Sequence, residues 1–147
     1  FERKIMEKTF FFELITPNKN LIADDFDMVV VPGEEGDFGV LPNHSNLISQ
    51  IRPGVLNTYK NNKVDKSFFL YSGFAEVSNN KLIVLSETAF DVNEFKLNNY
   101  KDDISKYEKL KNQTKIESEI LFFEKILFIY QIIIGSFNFQ ISKIGSL

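Results

Sequence analysis

The chain has 147 residues, enough for one domain or two small ones, and its 44% hydrophobic content permits a real core. A net charge of −3 with two arginines, Arg3 and Arg52, argues against nucleic-acid binding, which needs a basic stripe to neutralise phosphates. With no cysteine there is neither a disulfide framework nor a thiolate metal site.

The N-terminal stretch shows no secretory signal: Phe10-Phe11-Phe12 is too short an apolar run, and Glu13 interrupts it before Leu14-Ile15. A start at Phe1 fits either a removed presequence or trimming. Residues 8–16 read as a strand with Phe10, Phe12 and Leu14 on one face, followed by a turn at Pro17-Asn18-Lys19-Asn20. Leu21-Ile22 begins a short strand. Phe26 to Val31 is another, with Phe26, Met28 and Val30 on one side. The β-branched run stops at Pro32-Gly33, which reads as a strand ending in a turn.

The segment VPGEEGDFGVLPNH then packs Gly33, Gly36, Gly39, three acids and the only histidine into fourteen residues. Glycines at these three positions allow φ > 0 three times, so a shaped acidic loop is expected, with Asp37 to Leu41 returning from it. Such a loop on a rigid sheet is a natural contact surface. Leu47-Ile48 starts the next strand. Gly54 to Lys60 and Lys63 to Tyr71 pair through a turn at Asn61-Asn62. Phe74–Val77 and Leu82–Glu87 pair through Asn79-Asn80. Asparagine tolerates the left-handed backbone that tight hairpins need. Short strands with turn signals at this spacing predict a β-sandwich or barrel.

The character changes at Asp91, which has capping-box spacing to Glu94. Leu97, Tyr100, Ile104 and Tyr107 form one stripe of an amphipathic helix, and Asn112-Gln113-Thr114 reads as a bend. Residues 115–134 read as a second helix, of which Ile120 to Ile134 has only Glu124, Lys125 and Gln131 as clearly polar positions. It is too short and too charged for a membrane span, which needs about 20 apolar residues. A helix apolar on most faces is buried on most faces. Facing the first helix would bury Ile116, Ile120, Phe123 and Leu127. That leaves Phe122, Phe128, Ile129, Ile132 and Ile133 wholly or partly outside the seam, to be covered either by this chain's own core or by other chains; we favour the latter. After Gly135-Ser136, Phe137, Phe139 and Ile141 alternate with polar residues, a strand pattern. The predicted organisation is α+β: an N-terminal β-sandwich of short antiparallel strands over 1–90, followed by a two-helix hairpin with a C-terminal extension over 91–147.

Chemistry at the acidic loop is limited. Glu34, Glu35 and Asp37 lack the spacing of a calcium loop, and a lone histidine without cysteine makes no zinc set, so no metal is expected. Ser45 or Ser49 with His44 lacks a third triad member, so no catalytic residue is assigned. His44 reads either as a turn residue bonded to backbone groups or as an interface residue. No Gly-Lys-Ser/Thr follows the glycines, and three carboxylates would repel phosphate.

The loop closely resembles the signature of the epsilon subunit of bacterial and chloroplast rotary ATP synthases, whose mitochondrial counterpart is called delta. VPGEEGDFGVLPNH is followed by Arg52-Pro53-Gly54, and then by Tyr71-Ser72-Gly73-Phe74-Ala75-Glu76-Val77 and Leu82 to Ala89, in the order and spacing of that family. The resemblance covers roughly residues 8–90; beyond it only the pattern of two helices matches. It implies a β-sandwich and a non-catalytic central-stalk rotor subunit, joining the gamma subunit to the membrane c-ring. It places Glu34, Glu35, Asp37 and Phe38 at the ring, with His44 at the edge of that contact. It implies gamma, or the small epsilon stalk subunit of a mitochondrial enzyme, as the cover for the second helix. The setting would be the matrix side of the mitochondrial inner membrane or the cytoplasmic face of a bacterial one, with membrane association only through the complex. Many relatives bind ATP through an Asp-x-x-Arg motif on the helices. Here Phe90-Asp91-Val92-Asn93-Glu94-Phe95 has the aspartate, but no arginine follows Arg52, so no nucleotide or other cofactor is expected. A free-standing β-sandwich binding module and a small hydrolase using His44 are the alternatives.

Overall fold

The computed structural model describes residues 8–94 and 100–144. The chain divides into two compact units, Phe1–Val92 and Asn93–Leu147. In the first unit the described strands are β1 (Phe10–Ile15), β2 (Asn20–Phe26), β3 (Met28–Gly33), β4 (Gly36–Val40), β5 (Leu47–Ile51), β6 (Gly54–Lys60), β7 (Lys63–Leu70), β8 (Gly73–Ser78), β9 (Lys81–Leu85) and β10 (Ala89–Asp91). They hydrogen-bond in the order β10-β7-β6-β3-β5-β8-β9-β1-β2, with β4 also paired to β3. The path bends back on itself at its thinnest point, where a single residue pair, Gly33 with Ile51, joins β3 to β5. One layer is therefore β10-β7-β6-β3-β4 and the other β5-β8-β9-β1-β2. On the opposite side the chain crosses between layers at Asp27, whose amide donates to the Tyr59 carbonyl at 3.1 Å. Lys60 Nζ donates to Asp24 Oδ2 at 2.8 Å beside it, and this bond holds the Asp24 carboxyl below the usual carboxylate range.

Alternation drives the core, because successive strand residues point to opposite faces. Phe10, Phe12 and Leu14 of β1 are buried as expected, against Leu82 and Val84 of β9 and Val77 of β8. Val29, Val31, Leu56, Phe68 and Leu70 come from the other layer. The Phe12 and Phe26 rings meet edge to face at 6.0 Å. At roughly 1.5–3 kcal/mol per large apolar side chain buried, this cluster supplies the main stabilisation of the unit. Pairings are antiparallel except β1 with β9, which run parallel.

Three sequence expectations change here. Phe26 does not share a strand with Met28 and Val30: it ends β2, the crossing at Asp27 shifts the alternation, and Val29 and Val31 are the buried pair of β3. The acidic segment is largely strand rather than loop. Asp91 closes β10, paired with Phe68, and leads into a 3-10 turn at Val92–Glu94 instead of capping a helix. The two Asn-Asn turns hold, with φ of 54° and 63° at Asn61 and Asn62, and 49° and 57° at Asn79 and Asn80.

In the second unit α1 spans Tyr100–Gln113 and α2 spans Glu117–Ile144. Leu97 lies outside the described residues. Thr114 makes the bend, its Oγ1 accepting from the Ile116 amide at 3.2 Å. The expected strand at Phe137, Phe139 and Ile141 is instead a continuation of α2 through Gly135. A single interior glycine costs only about 1 kcal/mol, and without a proline an established helix propagates. Ile133, Phe137, Ile141 and Ile144 also recur at four, four and three, a spacing that fits a helix as well as the alternation fits a strand.

Candidate functional site

β3 and β4 form a tight hairpin. Gly33 pairs with Gly36, so Glu34 and Glu35 are a two-residue turn. Of the three glycines only Gly36 has a positive φ, 132°. Gly33 serves a different need: a Cβ there would lie 2.9 Å from the Phe38 ring and 2.8 Å from the Gly36 carbonyl. Phe38 is half-buried and packs on the core, which anchors the hairpin to the sandwich. Glu34, Glu35 and Asp37 are exposed. The base is tied to the strand beside it, with the Glu34 amide donating to the Gln50 carbonyl at 2.9 Å and the Arg52 amide to the Pro32 carbonyl at 3.0 Å. Arg52 also donates from Nη2 to Asp37 Oδ1 at 2.5 Å. Among the described residues, neither Glu34 nor Glu35 has an ion-pair partner. A groove of about 490 Å³ runs between the hairpin and Leu47, Ile48, Ser49 and Gln50.

His44 is not brought to this tip. It sits in the loop after β4, at the far end of that strand, roughly 15 Å away at ~3.3 Å per strand residue. The neighbouring Asn43 amide donates to Asn80 Oδ1 at 2.8 Å, which places the loop beside the β8–β9 turn. His44 Nδ1 lies 2.7 Å from the Ser45 carbonyl, and its amide donates to the Leu41 carbonyl at 3.2 Å. These local bonds fit a turn residue. No group of three or more metal-ligating side chains occurs among the described residues.

A second surface escaped the sequence reading. On the outer face of the second layer, Ile48, Phe74 and Leu85 are 74%, 57% and 51% exposed. Phe74 pairs with Leu85, and Leu85 with Ile15, so they form one apolar row across three strands. Ile48 pairs with Glu76 and lies diagonal to Phe74, within reach of an aromatic ring. The signal was present as apolar residues at the solvent-facing positions of strands whose other positions form the core.

In the helix pair, Tyr107 packs its ring at 6.2 Å from both Phe123 and Tyr130, and Tyr130 Oη donates to Asp103 Oδ2 at 2.9 Å. Lys111 pairs with Glu124 at 3.2 Å. Contacts that advance along α1 as they retreat along α2 define an antiparallel hairpin. Burial, then the bond to Asp103, pushes the Tyr130 hydroxyl up to about 12. Phe122 and Phe128 are exposed, Ile129 and Ile132 half-buried. Ile133 departs from expectation, being only 2% exposed. Ile116 departs the other way: it precedes α2, in the bend, and is 57% exposed.

Residues 9–92, more than half of the chain, match the family described as ATP synthase, Delta/Epsilon chain, beta-sandwich domain. The chain belongs to this family. The chain is 46% identical over 87 residues to the ATP synthase epsilon chain of Rhodospirillum rubrum, covering 59% of this chain and 65% of that one. It is 48% identical over 83 residues to that of Paramagnetospirillum magneticum, covering 56% and 62%. It thus spans a little under two thirds of the length of these curated relatives. Among solved structures it is similar to a chain of the Euglena gracilis mitochondrial ATP synthase, OSCP/F1/c-ring in rotational state 1. The TM-score is 0.72 at 18% identity, covering 93% of this chain and 86% of that one. A chain of the Tetrahymena thermophila mitochondrial ATP synthase central stalk and c-ring gives 0.53 at 15%, covering 86% and 94%. At such identities the likeness is one of fold. The hairpin, the His44 loop and the apolar row all lie within the matched span, and the helix pair lies outside it.

Proposed function

We propose that this chain is a non-catalytic central-stalk subunit of a proton-translocating rotary ATP synthase, joining a gamma subunit to the membrane c-ring. The carrying observation is that the matched sandwich domain presents one stiff hairpin tipped by two exposed carboxylates, Glu34 and Glu35. Their place on a turn tied to the neighbouring strand supports contact with the polar loops of a ring. Asp37 and Phe38 stand just behind that tip in the same contact, and His44, at the other end of β4, would reach only its edge. The apolar row Ile15, Leu85, Phe74 with Ile48 suits the stalk partner. On the helix pair the exposed stripe of Phe122 and Phe128, with Ile129 and Ile132, suits a further cover. Gamma is the first occupant, and the small epsilon stalk subunit the second in a mitochondrial enzyme. The complex would sit on the matrix side of the mitochondrial inner membrane or on the cytoplasmic face of a bacterial one. The epsilon chains of bacterial relatives support the second setting.

Each exposed ion pair contributes only about 0.2–1 kcal/mol, so coupling needs several contacts and a stiff domain. Reversing both tip charges with E34K/E35K should lower ATP-driven proton pumping relative to ATP hydrolysis in the assembled enzyme, while the isolated chain stays folded. Normal pumping in that variant would refute the ring contact. A native assembly mass equal to the chain alone would favour the free-standing binding module.

A further inference from the structure

A single side chain grips both legs of the acidic hairpin. Arg52 stands in the connection between β5 and β6. Its Nη1 donates to the Gly33 carbonyl at 2.6 Å and its Nη2 to Asp37 Oδ1 at 2.5 Å. Gly33 is the last residue of β3, and Asp37 the second of β4. The planar guanidinium, with donors in a fixed fork, therefore bridges the two legs directly behind the Glu34-Glu35 turn. This has two effects. The turn is held at a fixed angle to the sandwich, since rotating it would break both bonds. The Asp37 carboxylate is occupied, so the charge turned outward is that of Glu34 and Glu35 alone.

We propose that Arg52 is the positioning residue of the hairpin: it sets the angle of the tip and cancels the charge behind it, so that a polar or basic partner surface meets a two-carboxylate prong. This rests on the reading of the hairpin as a ring contact, and deepens it.

The test uses full-length chain in the assembled synthase. Arg52→Met keeps much of the aliphatic stem and removes the fork. The readouts are protons pumped per ATP hydrolysed in the complex, and amide exchange at Glu34, Glu35 and Gly36 in the free chain. Arg52→Met should speed exchange at the tip and lower the pumping ratio by up to about fivefold, the scale of an exposed charge contact. E34K/E35K should lower the ratio with tip exchange unchanged. If E34K/E35K lowers the ratio and Arg52→Met does not, the positioning role is wrong and the ring contact stands. If neither lowers it, both are wrong. A ratio lowered by Arg52→Met with unchanged tip exchange also overturns the positioning role. Should Arg52→Met fail to fold, Arg52→Lys keeps the charge without the fork. Its tip should exchange faster than the parent's, and exchange as slow as the parent's overturns the proposal.

Discussion

Gly73 and Gly36 share a left-handed backbone but not a neighbourhood. Their φ values are 148° and 132°. A Cβ on Gly73 would stand 1.9 Å from the Leu85 carbonyl oxygen, whereas one on Gly36 would meet nothing within 4 Å. Gly73→Ala therefore adds a clash with strand backbone to the dihedral strain and should cost about 3–5 kcal/mol. Gly36→Ala carries strain alone, about 1–2 kcal/mol. Urea titration of the two variants checks the difference; equal losses would mean that the close approach of β8 to β9 is not limiting. Single residues were unevenly legible in the sequence. The acids, the histidine and the turn asparagines announced themselves by type and local spacing. Arg52 did not, because its partners Asp37 and Gly33 lie 15 and 19 positions away. Only the fold brings them together.

Elements were legible where local chemistry and tertiary context agree. β1 carries clean alternation, the β6–β7 and β8–β9 hairpins carry Asn-Asn turns, and the structure places them within a residue or two of expectation. β3 was found, but Phe26 was placed on it beside Met28 and Val30, since the crossing at Asp27 carries no proline or glycine to mark it. β10 is three residues long, too short for a periodic signal. The hairpin read as a loop because glycines and acids mark turns, yet here most of them sit in paired strands. The tail carries both a two-residue and a helical period, and continuity with α2 decides between them. Gly135→Ala tests that outcome. A Cβ there meets nothing within 4 Å, so the change should add about 0.8–1 kcal/mol to the helix and raise the helical circular-dichroism signal. A lower signal would mean that α2 does not run through this position.

At the scale of the whole molecule, the sandwich has its own core, while the helix pair keeps Leu121, Phe122 and Phe128 at 61%, 57% and 45% exposure. Leaving several large apolar side chains in water is a solubility liability at roughly 1.5–3 kcal/mol each. Hydroxyl-radical footprinting should therefore label Phe122 and Phe128 readily in the free chain and weakly in the assembled synthase. Equal labelling in both would remove the case for a cover on this stripe. The joint between the two layers has a mechanical meaning as well. Gly33, Glu34 and Arg52 bind the root of the hairpin where a single residue pair links the sheets. A sideways force on the tip thus reaches one layer through β3 and the other through β5 at once. The hairpin acts as a lever whose fulcrum is the seam, and the bonds at its root share the load in parallel. They resist shear as a group instead of unzipping one by one.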